Sequence, residues 1–155
     1  MNAAPFLADI AAALQSTRLE AVLIGNAAAA LQGAPVTTLD FDFMFRKTPA
    51  NLTKLKAFAR ALGAVVLKPY YPASDLYRVT KDESGLQVDF MATIHGVRSF
   101  ESLRSRASTL VIGGTSLLAA SLEDIVKSKR AAGRPKDLAV LPVLEATLEE
   151  AKKRA

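Results

Sequence analysis

Asp40 and Asp42, in the run Leu39-Asp40-Phe41-Asp42-Phe43, are the pair in this chain best placed to do chemistry. On a strand, residues two apart point to the same side, about 6 to 7 Å apart along the backbone, so both carboxylates crowd one patch. Asp is disfavoured in strands and neighbouring like charges repel, so the pair asks for a cation between them. Mg²⁺ suits it, as a hard ion that takes one or two carboxylates plus phosphate oxygens. The plainer alternative is a strand with a wet acidic face. Asp89, in Val88-Asp89-Phe90, offers a third carboxylate on another alternating segment, and taken alone it reads as a solvent-facing strand residue.

Other groups bear on the same patch. Ile24-Gly25-Asn26 puts a Gly-containing turn before an Ala-rich run, and free N–H groups at a helix N-terminus favour an anion such as a triphosphate. An ordinary strand-to-helix turn accounts for the same residues equally well. Lys129 falls in register with Leu122, Ile125 and Val126, so its ammonium is aimed inward, where it needs an anion. Asp137 as a structural partner and a bound triphosphate are equal candidates. Arg134 and Lys136 read more simply as solvated helix-end charges. His95, before Gly96, reads as a turn residue, and Tyr70-Tyr71 as a strand end or a surface on which a base stacks.

These groups need elements to hold them. The patterning predicts an opening helix over Pro5–Leu14, a short strand over Ala21–Ile24, and a helix over Ala27–Gln32 with Asn26 as its N-cap. From Leu39, alternation predicts a strand with Leu39, Phe41, Phe43 and Phe45 on the buried face and Asp40, Asp42, Met44 and Arg46 opposite. A helix should open at Thr48-Pro49 and stop at Gly63, with a strand over Val65–Lys68 beyond it. Leu76–Thr80 and Leu86–Met91 read as a hairpin around the polar turn 81–85. A helix over Ser99–Arg106 and two short strands flanking Gly113-Gly114 follow. Ser121 and Asp124 resemble a capping box for a helix ended by Gly133, and Pro135 suits the first turn of a last helix that Pro142 should bend. Interleaved strands and helices without repeat or linker point to one α+β domain over residues 1–155.

Composition narrows the class. The chain has 155 residues, half of them hydrophobic, which suits one domain with a sizeable core. With no Cys and one His, disulfides, iron–sulfur clusters, thiolate zinc sites and paired-histidine sites are excluded. No Walker loop, dinucleotide G-x-G-x-x-G or G-x-S-x-G elbow is present, which removes the standard NTPases, Rossmann enzymes and serine hydrolases. No stretch of about 18 apolar residues occurs, and no basic segment precedes the apolar amino terminus, so no membrane span and a cytoplasmic location are expected. The net charge is +5, with half of the basic side chains in residues 101–155, a balance that favours polyanionic partners.

Leu23-Ile24-Gly25-Asn26, thirteen residues, then Asp40-Phe41-Asp42-Phe43 resembles the h-G-[GS]-x(9–13)-D-h-[DE]-h signature of the polymerase-beta-like nucleotidyltransferases. Val88-Asp89-Phe90 lies where that superfamily has its third carboxylate, and residues 122–137 resemble the Lys-then-Arg-Lys-Asp segment of minimal bacterial members, including the AbiEii-type toxin group. The likeness spans about residues 20 to 140. It implies Mg²⁺-dependent transfer of a nucleoside monophosphate from an NTP to an acceptor hydroxyl on RNA, a protein or a small molecule. Asp40, Asp42 and Asp89 would be the catalytic, metal-holding carboxylates. Gly25, Asn26, Thr38, Lys129 and Arg134 would bind the nucleotide, and an antitoxin or toxin subunit would be a partner. Asn26 in place of the second Gly or Ser, and Val36 where many toxin-like members have Arg, depart from the pattern. They leave room for an alternative, a catalytically weakened protein of this fold serving as a nucleotide-binding or regulatory subunit.

Overall fold

Phe41, Phe43 and Phe45, alternating along one strand, set the arrangement of everything around them. In the computed structural model, which describes residues 4–68 and 75–154, all three are buried. Phe43 stacks on Phe90 at 5.3 Å between ring centroids, and Phe58 and Phe45 meet Phe90 edge-on at 5.2 and 5.9 Å. Phe6 closes on Phe41 at 6.3 Å. Each such ring taken out of water contributes about 1.5 to 3 kcal/mol, so this cluster fixes which face of the sheet is the core. The Tyr70-Tyr71 reading lies outside the described residues.

The elements run α1 (Ala4–Thr17), β1 (Ala21–Ile24), α2 (Gly25–Leu31), β2 (Phe41–Phe45), α3 (Pro49–Ala61), β3 (Val65–Leu67), β4 (Leu76–Lys81), β5 (Leu86–Met91), α4 (Phe100–Arg106), β6 (Ser108–Ile112), β7 (Thr115–Ala119), α5 (Leu122–Ala132) and α6 (Pro135–Arg154). The strands form one sheet in the order β3-β4-β5-β2-β1-β7-β6. β1 and β2 are antiparallel, whereas β2 pairs parallel with β5 and β1 parallel with β7. This is the expected α+β architecture, a mixed sheet with helices packed on it. α1 packs on α3 and on the β6–β7 hairpin, and α2 packs on β1, β2 and α5.

The sequence signals act where they stand. Ser99 and Ser121 each accept the backbone N–H three residues on, Thr48 accepts from Asn51, and Gly133 caps α5 in the left-handed conformation. α6 continues through Pro142 as one helix. No helix among the described residues is long and apolar enough to cross a membrane.

Four expectations are corrected. α1 runs three residues past Leu14. Asn26 is not an N-cap: α2 begins at Gly25 directly after the strand, Ile24 takes the cap position, and no side chain caps that end. β2 begins at Phe41, because Thr38 Oγ1 accepts the Asp40 N–H at 3.0 Å and turns the chain just before it, leaving Leu39 exposed. Met44, placed by alternation opposite the phenylalanines, is buried as well. That second face is covered too, since Leu103 of α4 and Ile125 of α5 line a cavity above it together with Asp42.

The loop after β5 is tied down at Gly96. Its φ of +75° suits glycine, and a Cβ there would lie 2.8 Å from the Lys127 carbonyl oxygen on α5. Gly96→Ala is therefore expected to cost about 2 kcal/mol or more. Urea denaturation measures this, and an unchanged midpoint would show that the seat on α5 is slack.

Candidate functional site

The register brings the acidic residues together. Asp42 on β2 lies directly beside Asp89 on β5, in the parallel pair at the middle of the sheet. Ile24, the last residue of β1, is opposite Asp42, and a Cβ on Gly25 would come within 3.6 Å of Asp42 Oδ2. Gly25, with φ +69°, thus turns the chain over the carboxylate. Asp40 lies two residues before Asp42, immediately ahead of the strand. All three carboxylates face one cavity of about 550 Å³, which also takes in Arg78, Lys129 and Arg134.

Asp42 is the strained member. Burial pushes its carboxyl up to about 6, the Asp89 and Asp40 charges push the same way, and Lys129 and Lys136 pull weakly against them. Asp89 is more completely buried, with its side chain 12% exposed, but it is compensated. Arg78, its cross-strand partner on β4, donates from Nε to Oδ1 at 2.9 Å and from Nη2 to Oδ2 at 3.2 Å. The hydrogen bonds it donates to that carboxylate hold the guanidinium still more firmly in its charged form.

Lys129 points inward as its helical register requires, with its side chain 16% exposed. Its Nζ is 3.7 Å from Asp137 Oδ1, while Arg134 binds the same carboxylate more closely, from Nε to Oδ2 at 2.6 Å. Burial pushes the Lys129 ammonium below its usual range, and Asp137 opposes the shift. Burial also works against the Asp137 charge, but the hydrogen bond and charge of Arg134 overcome it, so this carboxyl is held low. Lys129 is therefore both paired with Asp137 and exposed to the cavity, so the two candidate anions are not exclusive. Arg134, expected as a free helix-end charge, is bound to Asp137. Lys136 also lines the cavity and has no ion-pair partner among the described residues.

The remaining expected residues are placed as follows. Thr38 is next to the site and spends its hydroxyl on the Asp40 backbone. Asn26 lies in the first turn of α2 with Oδ1 buried and without a hydrogen-bond partner. His95 is an exposed residue at the cavity wall. Asp124 does cap through its backbone, but its carboxylate turns to Arg106, which donates from Nε at 2.8 Å and from Nη2 at 3.1 Å. Sequence reasoning passed over Arg78. Its signal was the hairpin: pairing Lys81 with Leu86 across the turn places Arg78 opposite Asp89.

As they stand, no three acidic or imidazole groups among the described residues gather closely enough to hold a metal ion. The crowded Asp40–Asp42 pair is the part of the donor set that suits a hard cation, whereas both oxygens of Asp89 are engaged by Arg78.

The fold is that of solved nucleotidyltransferases. The crystal structure of ANT(2")-Ia in complex with adenylyl-2"-tobramycin matches with a TM-score of 0.64 at 18% identity, covering 96% of this chain and 91% of that one. A putative nucleotidyltransferase from Thermotoga maritima, TM1012, matches with a TM-score of 0.63 at 18% identity over 89% of each chain. Lincomycin-bound lincosamide antibiotic adenylyltransferase LnuA matches at 0.59 and 11% identity, covering 86% and 90%. No curated protein matches the sequence. The family described as "Nucleotidyl transferase of unknown function (DUF2204)" matches residues 4–154, and the chain belongs to it. The expected superfamily and fold are borne out, and with them the class of enzyme, a nucleotidyltransferase.

Two outcomes follow from the electrostatics. An acid whose folded pKa is raised destabilises the protein above that pKa and has no effect below its unfolded value. In chelator, Asp42→Asn should therefore be the more stable protein by up to about 3 kcal/mol above pH 6, with the gap closing towards pH 4. Urea titrations of both proteins across that range check it, and a gap independent of pH would refute the repulsion. Lys129→Met should leave the melting temperature unchanged or higher, because Arg134 still satisfies Asp137 and one buried charge is gone. A drop of several degrees in thermal unfolding would instead make Lys129 a structural strut.

Proposed function

We propose that this protein transfers a nucleoside monophosphate from a Mg²⁺-bound NTP to an acceptor hydroxyl, releasing pyrophosphate. The observation that carries the reading is the Asp42–Asp89 adjacency with Asp40 two residues away, at the mouth of a cavity walled by Lys129, Lys136 and Arg134. Like charges buried together are destabilising unless a cation joins them, and the same wall supplies positive charge for phosphates. Asp40 and Asp42 would hold the metal, which neutralises phosphate charge as the α-phosphorus is attacked. Asp89, beside Asp42, would complete a second metal position facing the acceptor hydroxyl and help take its proton. Gly25 and Asn26 would meet the triphosphate through backbone N–H groups, and Lys129, with Arg134 behind it, through its ammonium.

The acceptor is open among an RNA end, a protein hydroxyl and a small hydroxylated molecule. Two proteins sharing the fold bear, by their descriptions, on antibiotics: an adenylyl-2"-tobramycin complex and a lincosamide adenylyltransferase. These support a small-molecule arm in any screen. A toxin–antitoxin pairing is supported only by the resemblance of residues 122–137, and growth arrest on expression, relieved by a co-expressed gene neighbour, tests it. The rival reading, a weakened protein that binds nucleotide without turnover, is favoured by one observation, the Arg78 clamp on Asp89.

Incubation with each α-phosphate-labelled NTP, Mg²⁺ and, in turn, total RNA, protein extract and an aminoglycoside and lincosamide panel decides between them. Label transfer that Asp42→Asn reduces at least a hundredfold is the expected result. Mg²⁺-dependent nucleotide binding with no transfer to any acceptor would favour the rival, and no binding at all would overturn both. Lys129→Met should bind nucleotide roughly ten- to a hundredfold more weakly, the loss of one charged hydrogen bond, by calorimetric titration. Unaltered affinity would remove Lys129 from the site.

A further inference from the structure

Of Asp40, Asp42 and Asp89, only Asp89 is already paired with a cation among the described residues. It is one of the three groups a metal-dependent reaction would draw on, yet both of its oxygens are already held by Arg78. The two partners are not equally committed. The Asp89 side chain is 12% exposed and flanked by Asp42, so its charge needs compensation at all times. Arg78 is 39% exposed, lines the cavity, and feels the Asp42 and Asp40 charges as well as that of Asp89. It borders the open cavity.

We infer that Arg78 is a positioning residue that serves as the resident counter-ion of Asp89 and is exchanged for the metal when nucleotide loads. This inference rests on the metal-dependent reading above. A divalent ion on Asp42 and Asp89 would sit within a few ångströms of the guanidinium and be repelled by it, so the two cations compete for one carboxylate. In the resting protein the guanidinium compensates the Asp89 charge beside the crowded Asp42. On loading it leaves, Asp89 becomes available, and the freed side chain faces the phosphates entering the cavity, a planar donor fork suited to them. The exchange replaces one cation by another, so Asp89 is paired at both stages.

The test uses the full chain. In ¹⁵N-labelled protein the Arg78 Nε–H signal, identified by its loss in Arg78→Lys, should report a carboxylate-bound, slowly exchanging group, and should shift and exchange rapidly once Mg²⁺ and ATP are added. In parallel, Mn²⁺ binding is read by electron paramagnetic resonance. Arg78→Gln should bind Mn²⁺ on the order of tenfold more tightly, as expected when a unit charge close to a divalent ion is removed. Arg78→Lys, which keeps the charge and loses the two-point clamp, should gain less and covers the case in which the Gln variant fails to fold. In an Asp89→Asn background the gain from Arg78→Gln should vanish. An Nε–H signal unmoved by saturating Mg²⁺ and ATP, or an equal gain with and without Asp89, overturns the inference while Mn²⁺ binding by the parent leaves the metal reading standing. A parent that binds no Mn²⁺ brings both down.

Discussion

Repulsion between Asp42 and Asp89, neighbours on two parallel strands, is the constraint to which the rest of this structure answers. Two acids in register near the middle of a sheet, one of them largely dehydrated, are tolerated only with positive charge in attendance. The protein supplies it at graded distances: Arg78 on Asp89, then Lys129 and Lys136 across the cavity, the former balanced by Asp137, which Arg134 also holds. Among the described residues, every cation on the wall except Lys136 has an acidic partner, so the site is nearly neutral in parts while remaining strongly polar throughout.

The apolar side of the same strands makes this affordable. Phe41, Phe43 and Phe90 alternate with Asp42 and Asp89, so the packing that locks the phenylalanines against α1 and α3 also fixes where the carboxylates point. A slip of one residue between β2 and β5 would put acids into the core and rings into the cavity. At the opposite end of β1 and β2, Glu20 gathers Arg46 at 3.1 Å, Arg104 at 3.4 Å and Asn51 at 3.1 Å, and Arg46 also pairs with Glu101. This ties α3 and α4 to the strand ends away from the cavity.

What was legible in the sequence was local. Strand alternation at residues 41–45, the Ser99 and Ser121 caps, the Gly133 stop and the hairpin turn each depend on a few adjacent residues, and each is present. The Asp40, Asp42 and Asp89 set was legible because Asp in a strand is costly enough to demand a reason. What escaped depended on register or on competition for one hydrogen bond. The Arg78 clamp needs two strands counted against each other, and the late start of β2 needs Thr38 to take the Asp40 N–H. Asn26 misled because a cap residue requires a non-helical position of its own, and the chain enters α2 at Gly25 with none to spare. Met44 misled because alternation tells faces apart without telling how many of them are covered.

The order of the strands also bears on how the chain reaches this structure. β4 and β5 join through a tight turn and β6 and β7 likewise, pairings that close short loops on the microsecond scale. β2 meets β5 in parallel only after the intervening α3, β3 and β4 have been threaded past, a closure of far greater sequence separation. Asp42 and Asp89 are thus brought together by a pairing of long sequence separation. The local β4–β5 hairpin sets Arg78 opposite Asp89. One acid thus takes its counter-charge from within a hairpin, whereas the second acid is set beside it by a contact between distant parts of the chain.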